Sequence, residues 1–97
     1  MNRVRAAVVS YGPSVTGVVG VDIAVLPDMH PRHTVEVLAA KAAVAEVGGQ
    51  LAHIAVISRE GNRPLMVLPN ACTLLQAGMA VTIDPARCEI RWETTYE

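Results

Sequence analysis

Phenylalanine is absent from this chain of 97 residues, and one Trp and two Tyr supply all of its aromatic rings. A core must therefore be assembled from Val, Ile, Leu, Ala and Met, and there is little flat surface on which bases could stack. Neither sign of charge prevails: eight Lys and Arg stand against nine Asp and Glu, for a net charge of -1. With no basic stripe, nucleic acid is not expected as a main partner. Cysteine is scarce too. Cys72 and Cys88 lie too far apart in sequence for a metal-binding pair. They are expected to be free thiols, buried as small apolar side chains in a reducing compartment. No apolar run reaches the roughly 18 residues needed to cross a membrane. The charged start, Met1 to Arg5, is followed by an apolar stretch broken at Ser10, Tyr11, Gly12 and Pro13, which is not the form of a secretion signal. A cytoplasmic location is the expectation. Also missing are both glycine-rich nucleotide loops and any recognisable Ser or Cys nucleophile motif.

What the chain has is aliphatic residues in short runs. Hydrophobic residues make up 52% of it, enough for a modest core in one domain over residues 1–97. A chain of this size buries only about 60–65% of its unfolded surface, so a partner or a second copy would supplement the core. Val4 to Ser10 reads as a strand, and Tyr11 to Ser14 as a turn. Val15 to Val19 is a second strand or a loop. Val21 to Leu26 is a near-continuous apolar run of strand length, as in a strand covered on both faces. Asp28 to His33 is a polar link, and Thr34 is placed to cap a helix beginning at Val35. The Ala-rich run Ala39 to Val47 either continues that helix to a glycine pair or gives way to a strand; local pattern does not decide. A helix is predicted over Gln50 to Glu60, a strand over Leu65 to Leu68, and a short helix over Ala71 to Gln76 capped by Asn70. Strands follow at Ala80 to Ile83 and Glu89 to Trp92, and Glu93 to Glu97 reads as a frayed tail. Strands alternating with short helices indicate an α/β or mixed-layer fold.

The run that carries chemistry is Gly48-Gly49-Gln50-Leu51-Ala52-His53-Ile54-Ala55-Val56-Ile57-Ser58-Arg59-Glu60. It places an imidazole at or near a helix N-terminus, where unbonded N–H groups and the helix dipole favour an anion. A neutral imidazole nitrogen can attack phosphorus, and histidine as a residue type supplies that form near neutral pH. The amides of Gly49 to Ala52 could bind phosphoryl oxygens, since glycine allows close backbone approach and successive N–H groups form an anion concavity. Gly48, Gly49, Gln50, Leu51 and Ala52 are thus candidate phosphate-binding residues around a catalytic His53.

This run resembles the phosphohistidine, or swivelling, domain of enzymes that use or make phosphoenolpyruvate. These include pyruvate phosphate dikinase, phosphoenolpyruvate synthase, the first enzyme of the sugar phosphotransferase system and rifampicin phosphotransferase. The family pattern is roughly Gly-Gly-x-Thr-Ser-His-x-Ala-Ile-x-Ala-Arg-Glu, then Pro and an apolar strand, then Gly and Val-Thr-Val/Ile-Asp. Gly48, Gly49, His53, Ala55, Arg59, Glu60, Pro64, Gly78, Val81, Thr82, Ile83 and Asp84 match it in spacing. The resemblance covers about Val21 to Ile90. It implies a β/β/α three-layer domain of short strands with two to three short helices, including a short helix to about Ala40 and a strand over Ala42 to Glu46. It implies a phosphoryl group carried on His53, with Nε2 as the attacking atom, and no other bound cofactor. Partners would be separate ATP-binding or phosphoenolpyruvate-binding domains, because 97 residues hold neither. Where the family has Thr-Ser before the histidine this chain has Leu51-Ala52, and its Gly-Ile-Pro is here Asn62-Arg63-Pro64. In some relatives that threonine is a regulatory phosphorylation site, a role Leu51 cannot take.

Other residues draw blander readings. Arg59 lies about 240° round the helix from His53, so a salt bridge or a docking contact suits it better than the phosphate. Arg63 follows a turn and is expected to be mobile, free to face a partner or the phosphate. Thr82 and Asp84 suit a strand end and a turn before Pro85. His30-x-x-His33 offers two ligands, too few for a closed metal site even with Asp28, and reads as a solvated loop. The expected function is a stand-alone phosphoryl carrier. Its rival is an unphosphorylated docking, regulatory or small-subunit module on the same fold, motivated by the lost hydroxyls at Leu51 and Ala52. A third reading is an anion-binding domain using the Gly48–His53 loop.

Overall fold

The computed structural model describes residues 2–48 and 52–93. Eight short strands lie along it: β1 Asn2–Arg5, β2 Ala7–Ser10, β3 Val15–Val18, β4 Ile23–Leu26, β5 Ala42–Ala45, β6 Leu65–Val67, β7 Ala80–Asp84 and β8 Glu89–Trp92. Three helices join them: α1 Thr34–Ala39, α2 His53–Glu60 and α3 Ala71–Leu74. The strands form two four-stranded sheets. One, in the order β1-β8-β7-β3, is antiparallel throughout. The other, β2-β6-β5-β4, is mixed, with β5 parallel to both neighbours and β2 antiparallel to β6.

The alternation of side chains along β5 divides the core in two. Ala42 and Val44 join Met66, Val81, Ile83 and Ile90 in an apolar layer between the sheets. Ala43 and Ala45 join Leu65, Val37, Ile54 and Ala55 in a second layer, between the mixed sheet and α1 and α2. The result is a β/β/α three-layer domain. All four β5 residues are buried, so small alanines on a central strand bring both layers close, and the Ala-rich run is a strand. Helix α3 lies elsewhere: Ala71 and Leu75 join the inter-sheet layer, sealing the sandwich beside β4.

Several local expectations are corrected. Val4 to Ser10 is two strands in two sheets. The chain crosses at buried Ala6, whose N–H donates to Cys88 O at 3.0 Å. Strand β4 begins at Ile23, after a turn in which Asp22 Oδ2 accepts from Val18 N, leaving Val21 71% exposed. Thr34 is the first residue of α1 and not its cap. Its hydroxyl donates back to Pro31 O at 2.6 Å, and His33 occupies the cap position without a side-chain bond to the helix backbone. Asn70 precedes α3 in the left-handed region (φ 65°) and makes no cap bond. Glu46 Oε2 accepts from Cys72 N at 2.9 Å instead, and α3 stops at Leu74. Cys72 is exposed and Cys88 partly so, both as free thiols. His33 is buried, not solvated.

Candidate functional site

Helix α2 is amphipathic in the ordinary way. Ile54, Ala55 and Ser58 are buried, whereas His53, Val56, Arg59 and Glu60 are exposed. Burial of Ile54 and Ala55 against the mixed sheet therefore fixes the helix rotation and presents His53 to solvent. His53 is the first helical residue, and side chains there project toward the N-terminal end of a helix. Among the described residues no side-chain cap bond is made at that end. Ala52 sits at the cap in extended conformation (φ -65°, ψ 151°) and offers no acceptor to the first-turn amides. An anion attached to His53 would meet unbonded N–H groups and the positive end of the helix.

The assignments to Gly49, Gln50 and Leu51 lie outside the described residues. Gly48 approaches Met29 so closely that a Cβ built on it would overlap the Met29 side chain. Met29 itself is buried with Ala52 and Ile54 in the layer beneath α2.

Both arginines of the motif region reach backbone carbonyls away from His53. Arg59 Nη1 lies 3.5 Å from Val9 O, across on β2. Arg63 is not mobile. Its Nε donates to Ala40 O at 3.3 Å and its Nη2 to Leu38 O at 3.2 Å, so the guanidinium caps the C-terminal carbonyls of α1. Composition could not reveal this, since the two ends meet only through the fold.

The His30-x-x-His33 segment is a compact polar knot beside α2. Asp28 Oδ1 accepts from His30 N at 2.9 Å, and Asp28 Oδ2 pairs with Arg32 at 3.1 Å. His33 Nδ1 meets Glu36 Oε1 at 2.8 Å. His33 Nε2 lies 3.2 Å from Asp28 Oδ1, within ion-pair range but misaligned for a hydrogen bond. The His30 amide, then the Arg32 and His33 charges, hold the Asp28 carboxyl below its ordinary range. Among the described residues no group of three or more His, Cys, Asp or Glu is arranged to hold a metal ion. At the far sheet, Arg91 bonds Asp84 and Glu89, each at 2.8 Å, and Asp84 accepts from Arg87 N at the turn. The Arg91 contact keeps the Asp84 carboxyl below its usual range. The pattern Val-Thr-Ile-Asp thus serves strand and turn, with Thr82 bonded to Thr16 across the sheet.

Comparison with known proteins fits this geometry. The family model of the PEP-utilising enzyme, mobile domain, matches residues 18–88. The chain belongs to that family. The matched span holds the candidate loop, α2 and four of the eight strands whole, β4 to β7. Comparison with the curated proteins gives no match. Among solved structures, the chain is similar to a UPF0107 protein solved by NMR, with 12% identity, a TM-score of 0.69 and coverage of 96% of this chain and 100% of that one. It is likewise similar to a chain in the crystal structure of Thermococcus kodakaraensis aconitase X (holo-form), with 13% identity, a TM-score of 0.70 and coverage of 97% and 100%. At these identities the likeness concerns the fold. Such mobile domains work with other domains. No helix of the described residues is long and apolar enough to cross a membrane.

Proposed function

We propose that this protein is a phosphoryl carrier, with His53 as the residue that bears the group. One observation carries the reading: in a mobile-domain fold, the exposed histidine opens a helix whose cap residue, Ala52, makes no side-chain bond to the first-turn amides. A ring nitrogen, Nε2 by family resemblance, attacks the phosphorus of a donor held by another protein. The P–N bond forms as the donor's bond to phosphorus breaks, and the leaving group departs with the electron pair. Attack by an acceptor oxygen reverses the step. The amides opening α2 would stabilise the phosphoryl charge. Donor and acceptor sites, ATP-dependent or phosphoenolpyruvate-dependent, would lie on separate partners, consistent with a cytoplasmic transferase system.

The test is intact mass with phosphohistidine detection on protein kept at alkaline pH, where phosphoramidates survive, after incubation in lysate with phosphoenolpyruvate or ATP. One added phosphate, lost in His53→Ala, is the expected result. No phosphate under any donor would sink the proposal.

A docking or small-subunit module is the second reading. It is favoured by apolar side chains left exposed on the helical layer, namely Val35 (77%), Leu38 (50%) and Val56 (38%), and by full-length likeness to a chain of aconitase X. On that reading His53→Ala leaves partner capture unchanged.

A further inference from the structure

Gly48 begins the segment that leads to His53, and its being glycine has a spatial cause. Among the described residues the glycines with positive φ are Gly20 (92°) and Gly78 (95°), so the backbone angle of Gly48 does not demand glycine. Room does. A Cβ at this position would collide with Sδ, Cε and Cγ of Met29. Met29 is 6% exposed and belongs to the same apolar cluster as Ala52 and Ile54, the two residues that flank His53. One methionine therefore touches the start of the segment and shares a packed layer with its end. Met29 is in turn held by its neighbours, since Asp28 bonds the His30 amide and Arg32, and His33 is buried between Asp28 and Glu36.

We infer that Met29 is a positioning residue for His53: packed against Gly48 and sharing one apolar layer with Ala52 and Ile54, it sets where the start of α2 lies. This rests on the phosphoryl-carrier reading for its purpose, though not for its geometry. A packed interior transmits small displacements, and a misplacement of about 1 Å at a reacting group can cost on the order of a hundredfold in rate.

A double-mutant cycle tests it, with Gly48→Ala, Met29→Ala and the pair, using potassium phosphoramidate as a small phosphoryl donor that needs no partner protein. In that reaction the His53 nitrogen forms a bond to phosphorus, and the donor's P–N bond breaks. Ammonia leaves with the electron pair, and the displaced ring proton passes to solvent. Gly48→Ala is expected to slow His53 phosphorylation about tenfold with Met29 present and less than twofold in the Met29→Ala background. Equal slowing in both backgrounds would overturn the inference. The His53 ring proton and carbon resonances give a second readout, independent of phosphorylation. They should move in Gly48→Ala and move much less when the same change is made on Met29→Ala. If the wild-type protein takes no phosphate, the carrier reading fails, and the resonances alone decide the positioning role. If Gly48→Ala does not fold, Met29→Ala against the volume-keeping Met29→Leu replaces it. The resonances must then shift in the first and stay in the second, and no shift in either overturns the inference.

Discussion

At the scale of single residues, the site is a histidine on a helix start from which the usual capping oxygen is missing. Ala52 already has the extended backbone of a cap, so a serine there would need no rearrangement to accept from the first-turn amides. Ala52→Ser is expected to raise stability by about 1 kcal/mol, read from urea or thermal unfolding. An unchanged midpoint would mean that those amides already have another partner in solution. His53 and its motif were legible in the sequence because spacing of glycine, histidine and the Arg-Glu close is a local signal. Met29 was not, because its contact with Gly48 joins residues far apart in sequence that only the fold brings together.

At the scale of elements, order and type were readable where apolar runs were bounded by Gly or Pro, as at β4, β6 and the end of α2. Helix ends were misread because their partners are distant in sequence. Asn70 is a cap by composition, yet Glu46 from the end of β5 serves α3. The break at Ala6 was hidden because a strand that passes from one sheet to the other keeps its alternation. The largest such device is Arg63 on the end of α1. Its two bonds, to Leu38 O and Ala40 O, tie the C-terminus of α1 to the turn after α2. Gly61 leaves space for it, since a Cβ there would strike the guanidinium. Arg63→Ala should destabilise the domain by about 1–2 kcal/mol, and Arg63→Lys should recover only part, because one ammonium cannot reproduce the planar fork. Hydrogen exchange at α1 should quicken in step with the lost stability. Unchanged exchange there would mean that the cap does not hold the helix.

At the scale of the whole molecule, the question is whether three thin layers act as one body. Each strand is three to five residues long, and neither sheet has a core of its own. The inter-sheet layer draws residues from both sheets and from α3, and the mixed sheet is shared by both apolar layers. Ala6 adds a covalent tie: β1 and β2 are consecutive yet belong to opposite sheets, so neither sheet can part from the other without breaking a strand pairing. A carrier that must present His53 to one site and then another would act as a rigid body, with the motion lying outside the domain. Unfolding should therefore be cooperative. The single tryptophan, Trp92, packs against the inter-sheet layer from β8 and reports on the antiparallel sheet, whereas far-UV circular dichroism at the helical band reports on α1 and α2. The two signals are expected to trace one coincident urea transition, with an m-value of about 1–1.5 kcal/mol/M for a chain of this size. If the helical signal were lost first, with Trp92 still native, the layer bearing His53 would open independently of the sandwich. Transfer would then depend on that local equilibrium and not on rigid presentation alone.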